Sequence, residues 1–400
     1  GSYKALANND KKWKFAGFLA VLTPFMIAVF YMVITVWIFG YLSQTAMGNL
    51  DALADPSHFG SFINSYTVFG YMAVVVIIVN LILLGGVKQG IEKAAKFLMP
   101  ALFVMLLALV AYVLTLDNAM AGVKYYVIPD FSKMSASVLN GALSQAFFSL
   151  SLGMGILMTY ASYISKKDDI VGSAKMVAIT DSLVAFVAGL MVLPAIFSFD
   201  PNTDPAALSD SSVSMIFVYL PKILLALQND IGYFGASAVA FSFFLLVFFA
   251  AITSLVSIVE VPTATLSDRK GISRKKALGI LTLATGVLTI LCTMSFGMVD
   301  SLTSFTSYGS GNKSFFDIVY DVFYDTILPL NGLMVCLFVM YRWKKVRLSE
   351  ELSQGCPGYA GSFTEKYVNF SLSTFIPVIL VVIFINTVAT KFFAMSIFGF

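Results

Sequence analysis

QAFFSLSLGMGILMTYASY, residues 145–163, is apolar enough to cross a membrane, yet its middle carries Gln145, Ser149, Ser151, Gly153 and Gly155. A plain lipid-facing helix has no use for that set. Backbone inside a bilayer must satisfy its own hydrogen bonds, so non-helical chain survives there only when buried in protein or lining a cavity. Two glycines and two serines within seven residues predict a helix that stops and restarts halfway across. In secondary transporters such breaks mark the midplane binding site, offering free N–H groups to anions and free carbonyls to cations. Small residues also let intact helices pack closely. From this stretch alone, both readings stay open.

Composition sets the class. The 400 residues are 58% hydrophobic and 12% charged, with a mean hydropathy of +0.87, whereas a soluble domain carries about 25% charge. This is a multi-helix membrane chain. The net charge of +3 gives no reason to expect a nucleic-acid partner. Cys292, Cys336 and Cys356 lack the spacing of a zinc site or a disulfide framework. The single histidine, His58, lies in a polar connection and reads as a surface residue. No signal peptide is visible: the chain opens on the polar run GSYKALANNDKKWK, without an initiator Met.

Apolar runs of about 20 residues, the length that spans hydrocarbon, fall near 16–42, 64–86, 97–116, 138–163, 171–199, 232–260, 275–298, 316–341 and 368–390. That predicts about nine spans. Residues 200–231 are rich in Pro and Asp and read as a long external loop with one or two short helices. With residue 1 in the cytoplasm, 20 of the 25 Lys and Arg residues fall on the cytoplasmic side. That asymmetry is what the positive-inside rule expects. The C-terminus then lies outside.

Next come polar residues inside apolar spans. Asp181, in VAITDSLVAFVAGL, would cost roughly 2.5–3.5 kcal/mol at the bilayer centre on insertion scales and is a functional-site candidate. Pairing with a neighbouring helix is its structural alternative. Glu260 lies beside Pro262 at the cytoplasmic end of its span and reads as a packing or gate residue. Thr253 and Ser254 are either oxygen ligands or residues that back-bond to the preceding helical turn. Asp181, Ser149, Thr253, Ser254 and the carbonyls of a broken helix supply carboxylate, hydroxyl and carbonyl oxygen. Hard cations take that set. An alkali-cation-coupled transporter is the expectation.

The motifs QAFFSLSLGMGILMTYASY (145–163), GVKQGIEKAAKFLMP (86–100), FAAITSLVSIVEVP (249–262), LTPFMIAVFYMVITVW (22–37) and ILPLNG (327–332) run in order over essentially the whole chain. With them the chain resembles a bacterial member of the neurotransmitter:sodium symporter family, the sodium-coupled amino-acid transporters. The resemblance implies an all-α polytopic membrane protein of LeuT-like inverted-repeat fold, its nine spans corresponding to family helices three to eleven, with one discontinuous helix near 145–163. It implies one transmembrane domain: 16–134 as the rest of the first repeat, 135–341 as the second, and 342–400 as an additional C-terminal helix. The family's first two helices have no counterpart here, because residue 1 corresponds to the loop after the second. Since the first of them supplies part of the ion and substrate sites, an upstream truncation is expected.

By the same resemblance, Phe148, Ser149, Ser151 and Met154 line the substrate pocket with Ile27 and Tyr31, and the Tyr31 hydroxyl meets the substrate carboxylate. Ser149 and Asp181 join a first sodium site. Ala250 by its carbonyl, with Thr253 and Ser254 by their hydroxyls, holds a second, while Ser254 and Ile258 also border the substrate. The element from Gly90 to Pro100 resembles one that unwinds to hydrate the second sodium. Asp268 and Tyr163 match the cytoplasmic gate and Gln145 the outer gate. The family's outer-gate aspartate falls at Tyr320, so Asp321, one residue on, is the candidate, with Asp317 before it.

The implied function is sodium-coupled symport of a hydrophobic or aromatic L-amino acid by alternating access, in a bacterial cytoplasmic membrane. Because Asp181 already places a carboxylate at the first sodium, no chloride requirement is expected. The second reading is a truncated, non-transporting fragment or a sensor on a transporter fold. An intramembrane aspartyl protease is disfavoured: Tyr320–Asp321 supplies a YD pair, but no GxGD motif accompanies it.

Overall fold

A computed structural model describes residues 3, 6, 11–85, 87–162, 164–199, 215–309, 311–395 and 397. The helices that carry the expected spans are α1 (Lys14–Ala46), α2 (Thr67–Gly85), α3 (Val87–Val113), α4 (Ala136–Ser149), α5 (Ile156–Ala161), α6 (Ile170–Phe199), α7 (Gln228–Lys270) and α8 (Arg274–Met294). They continue with α9 (Phe315–Trp343), α10 (Phe363–Ser373) and α11 (Phe375–Phe393). Among the described residues, seven helical runs are long and apolar enough to cross a membrane. The two remaining expected spans are carried by the shorter apolar stretch Met99–Val113 of α3 and by the broken pair α4–α5. The fold is therefore all-α and polytopic, with about nine spans. One addition was not expected: β1 (Thr306–Tyr308) and β2 (Gly311–Lys313) form an antiparallel hairpin. Its polar TSYGSGNK sequence reads as a linker, but Gly309 at φ +60° supplies the left-handed turn a hairpin needs.

The chain divides into two compact units, Gly1–Phe30 with Met134–Asp181 and Ser257–Phe400, and Tyr31–Lys133 with Ser182–Val256. In the second unit the core is aromatic. Trp37, Tyr41, Phe217 and Phe244 are buried, and the Tyr41 hydroxyl donates to the Phe217 carbonyl at 3.0 Å. His58, expected on the surface, is half-buried with its ring 6.3 Å from Phe62. The helix Ala119–Val127 lies against Pro194 of α6 so closely that a Cβ on Gly122 would come within 2.4 Å of the proline Cα. Of the 200–231 loop, the described part contains the helical stretches Met215–Tyr219 and Leu220–Ala226.

Prolines shape the first unit. Pro329 removes a backbone donor from α9, and the turns before it, Tyr320–Ile327, are wound as π-helix. There the Thr326 hydroxyl donates to the Asp321 carbonyl at 2.7 Å. Such π-bulges cluster at functional sites. Pro24 in α1 likewise leaves the Ala20 carbonyl without its helical donor. Large apolar side chains stay exposed along α6 (Met176, Ile179, Leu183) and α8 (Ile280, Leu283). On a water-facing surface they would be an association hazard; against lipid tails they cost nothing.

Candidate functional site

The helix breaks where the sequence predicts. After α4 ends at Ser149 the chain runs non-helically to Gly155, and α5 begins at Ile156. Three residues in the break have positive φ: Ser151 (55°), Gly153 (73°) and Gly155 (70°). Glycine adopts that conformation freely, whereas a non-glycine residue there carries strain of order 1–3 kcal/mol. The Ser151 N–H turns back to the Phe148 carbonyl at 2.9 Å, and the Leu152 N–H to the Phe147 carbonyl at 2.8 Å. The carbonyls of Ser149, Leu150 and Ser151 are left without a backbone donor among the described residues.

The glycines have a second reason to be there. A Cβ on Gly155 would lie 2.8 Å from the Ala20 carbonyl, the one Pro24 leaves free, and one on Gly153 would lie 2.7 Å from the Leu328 carbonyl. Both contacts are backbone against backbone, so neither neighbour can yield by turning a side chain.

At the end of α4 the Ser149 hydroxyl donates to Asp181 Oδ1 at 2.5 Å. With its proton on the carboxylate, the serine oxygen keeps its lone pairs, so the pair offers a hydroxyl and a carboxylate oxygen to a hard cation. Phe148 is packed between aromatic rings, 4.9 Å from Tyr324 and 6.5 Å from Phe30. Ile27, Met154 and Ile258 are buried in the same unit, and Ser151 is half-buried.

The second unit holds the other expected oxygens on one unbroken turn of α7. The Thr253 hydroxyl donates to the Ala250 carbonyl at 2.8 Å. Ser254 is exposed, and its hydroxyl is hydrogen-bonded to Tyr31. Three hydroxyls and a carbonyl thus gather in this unit, a chemistry that also suits sodium.

Of the gate candidates, Gln145 accepts a hydrogen bond from Tyr324 at 3.2 Å. Asp321 is buried and turned elsewhere. It accepts from Tyr308 of the hairpin at 2.9 Å and pairs with Lys391 of α11 at 3.0 Å. Lys391 also reaches Asp325, at 2.8 Å. Asp268 is exposed at the end of α7, and Tyr163 lies outside the described residues. Nearby in sequence, Glu260 is buried and held by both terminal guanidinium nitrogens of Arg274, at 3.0 and 2.6 Å. The Tyr160 and Ser257 hydroxyls are hydrogen-bonded to each other.

Sequence reading missed three participants. Tyr324 meets both Phe148 and Gln145, Lys391 takes up the α9 carboxylates, and Asn331 donates to the Gly153 carbonyl at 2.9 Å. The ILPLNG run was a signal for the last, but it marked the motif without the contact.

Comparison with known proteins places the chain among sodium-dependent transporters. Residues 60–397 match the family described as the Sodium:neurotransmitter symporter family. The uncharacterized sodium-dependent transporter YhdH of Bacillus subtilis strain 168 is 31% identical over 383 residues, covering 94% of this chain and 80% of that protein. An uncharacterized sodium-dependent transporter of Haemophilus influenzae is 31% identical over 390 residues, with 94% and 79% covered. The crystal structure of MhsT in complex with L-phenylalanine is similar at a TM-score of 0.82 and 33% identity, over 96% of this chain and 83% of that one.

Proposed function

This chain belongs to the sodium:neurotransmitter symporter family, whose members here are sodium-dependent transporters and not enzymes, and from that premise we propose that it carries a hydrophobic or aromatic L-amino acid together with sodium, without chloride. It is an integral membrane protein; its proposed place is a bacterial cytoplasmic membrane, with residue 1 on the cytoplasmic side.

The observation that carries the proposal is the hydrogen bond from Ser149 to Asp181 at 2.5 Å, at the end of the broken helix. A carboxylate there supplies the negative charge that chloride-dependent relatives borrow from an anion. Sodium is cargo at this site, held by Ser149 and Asp181. A second ion would be held by Ala250, Thr253 and Ser254. The driving force is adequate, since each charge moved inward is worth about 2.3 kcal/mol per 100 mV.

The substrate class is supported by apolar residues at the pocket positions. Ile27, Met154 and Ile258 are buried, and Phe148 is held by aromatic neighbours. None of these offers a partner to a charged substrate side chain, and an unpaired charge there would be costly. MhsT was solved with L-phenylalanine, which supports the aromatic end of the range. Tyr31 would receive the substrate carboxylate.

The test is uptake of labelled L-phenylalanine by proteoliposomes holding the chain, driven by an inward sodium gradient, with chloride replaced by gluconate. Uptake is expected to persist in gluconate. Uptake that collapses without chloride would overturn the role given to Asp181.

A further inference from the structure

The ILPLNG motif at 327–332 is left without a role by the pocket, the ion sites and the gates. Its Asn331 is 2% exposed, and its amide nitrogen donates both to the Gly153 carbonyl at 2.9 Å and to the Thr23 hydroxyl oxygen at 2.8 Å. Its neighbours bring α9 hard against the break. A Cβ on Gly153 would meet the Leu328 carbonyl at 2.7 Å and the Asn331 Cβ at 3.3 Å, and one on Gly332 would meet the Phe147 ring at 2.3 Å. From the last turn of α4 to the middle of the unwound segment, α9 therefore packs tightly along the broken helix, against the Phe147 ring at one end and backbone to backbone at Gly153.

A buried primary amide is costly unless its hydrogen bonds are made; here the nitrogen makes both of its bonds while Oδ1 is buried without a partner among the described residues, and an apolar residue would fill the space without that liability. The amide gives the Gly153 carbonyl a donor that its interrupted helix cannot supply. We propose that Asn331 is a positioning residue of the transport cycle. It fixes the Gly153 peptide, and through it Ser151 and Met154 on either side, so that the unwound segment holds the substrate pocket in one shape. The hydrogen-bonded pair of Ser149 and Asp181 lies in α4 and α6, outside the clamped peptide. The clamp should therefore set substrate affinity far more than sodium affinity.

The proposal rests on the substrate reading above, and its test separates the two. The full chain, Asn331→Ala and Thr23→Val are compared for the KM and kcat of L-phenylalanine uptake and for sodium-induced thermal stabilisation without substrate. Asn331→Ala should raise KM about tenfold, as loss of a donor to a buried carbonyl does. Its kcat and sodium midpoint should stay near those of the parent. Thr23→Val, which leaves the bond to Gly153 intact, should change KM little. Where Asn331→Ala does not reach the membrane, Asn331→Ser is expected to raise KM in the same direction by less. An unchanged KM, or an equal rise in Thr23→Val, would overturn the clamp.

If the parent carries no hydrophobic amino acid, the substrate reading fails while the clamp remains testable. In a Cys356→Ser background, whose other cysteines are buried, Ser151→Cys should react faster with a thiol reagent when Asn331 is Ala. Equal rates would then reject the proposal.

Discussion

Between Ser149 and Gly155 the chain gives up helical hydrogen bonds to expose oxygen, whereas between Ala250 and Ser254 it keeps its helix and relies on side chains. The first solution needs special backbone: positive φ at Ser151, Gly153 and Gly155, and close approach to the carbonyls of Leu328 and Ala20. It also needs a clamp, the Asn331 amide on the Gly153 carbonyl. The second needs only a threonine whose hydroxyl folds back on the Ala250 carbonyl at 2.8 Å, a bond found in many helices that hold no ion. A broken helix is thus rigidly specified and intolerant of change. An intact turn is permissive, and its oxygens can be exchanged at modest cost.

Substitutions in the two regions should differ accordingly. Gly153→Ala forces a Cβ into the left-handed region and toward the Leu328 carbonyl, and should cost about 3 kcal/mol of stability. Substrate binding should be lost, read by thermal denaturation together with L-phenylalanine binding. A variant that binds normally would show that the break is softer than its contacts imply. Thr253→Val, nearly the same shape, should leave the denaturation midpoint almost unmoved while weakening sodium about tenfold, as loss of one oxygen ligand or hydrogen bond does. A sodium titration of substrate binding measures that shift. A large loss of stability in Thr253→Val instead would mean the turn is as constrained as the break.

The same contrast explains what could be read from sequence. The break was legible because SLSLGMG spends residues that a lipid-facing helix would not. Asp181 stood out as a candidate because a carboxylate in an apolar run is costly unless it has a partner, and Ser149 is that partner. Thr253 and Ser254 were ambiguous for the physical reason just given: a ligand and a back-bonding hydroxyl look alike in one dimension. Asp321 became a gate candidate only by its place in the chain. Its partners, Tyr308 and Lys391, come from a hairpin and from a helix 70 residues on, and no periodicity links them. Asn331 was hidden likewise, since its partners Thr23 and Gly153 are 308 and 178 residues away. Spans follow from local composition, while contacts across the fold follow from packing that composition does not encode.

The most direct measurement is equilibrium binding of labelled L-phenylalanine to the purified chain in sodium and then in choline, with Asp181→Ala beside it. Binding in sodium, none in choline, and none in Asp181→Ala in either salt is the predicted result. Equal binding in sodium and choline, or sodium-dependent binding that survives Asp181→Ala, would contradict the assignment of Ser149 and Asp181 as the sodium site that couples ion to substrate.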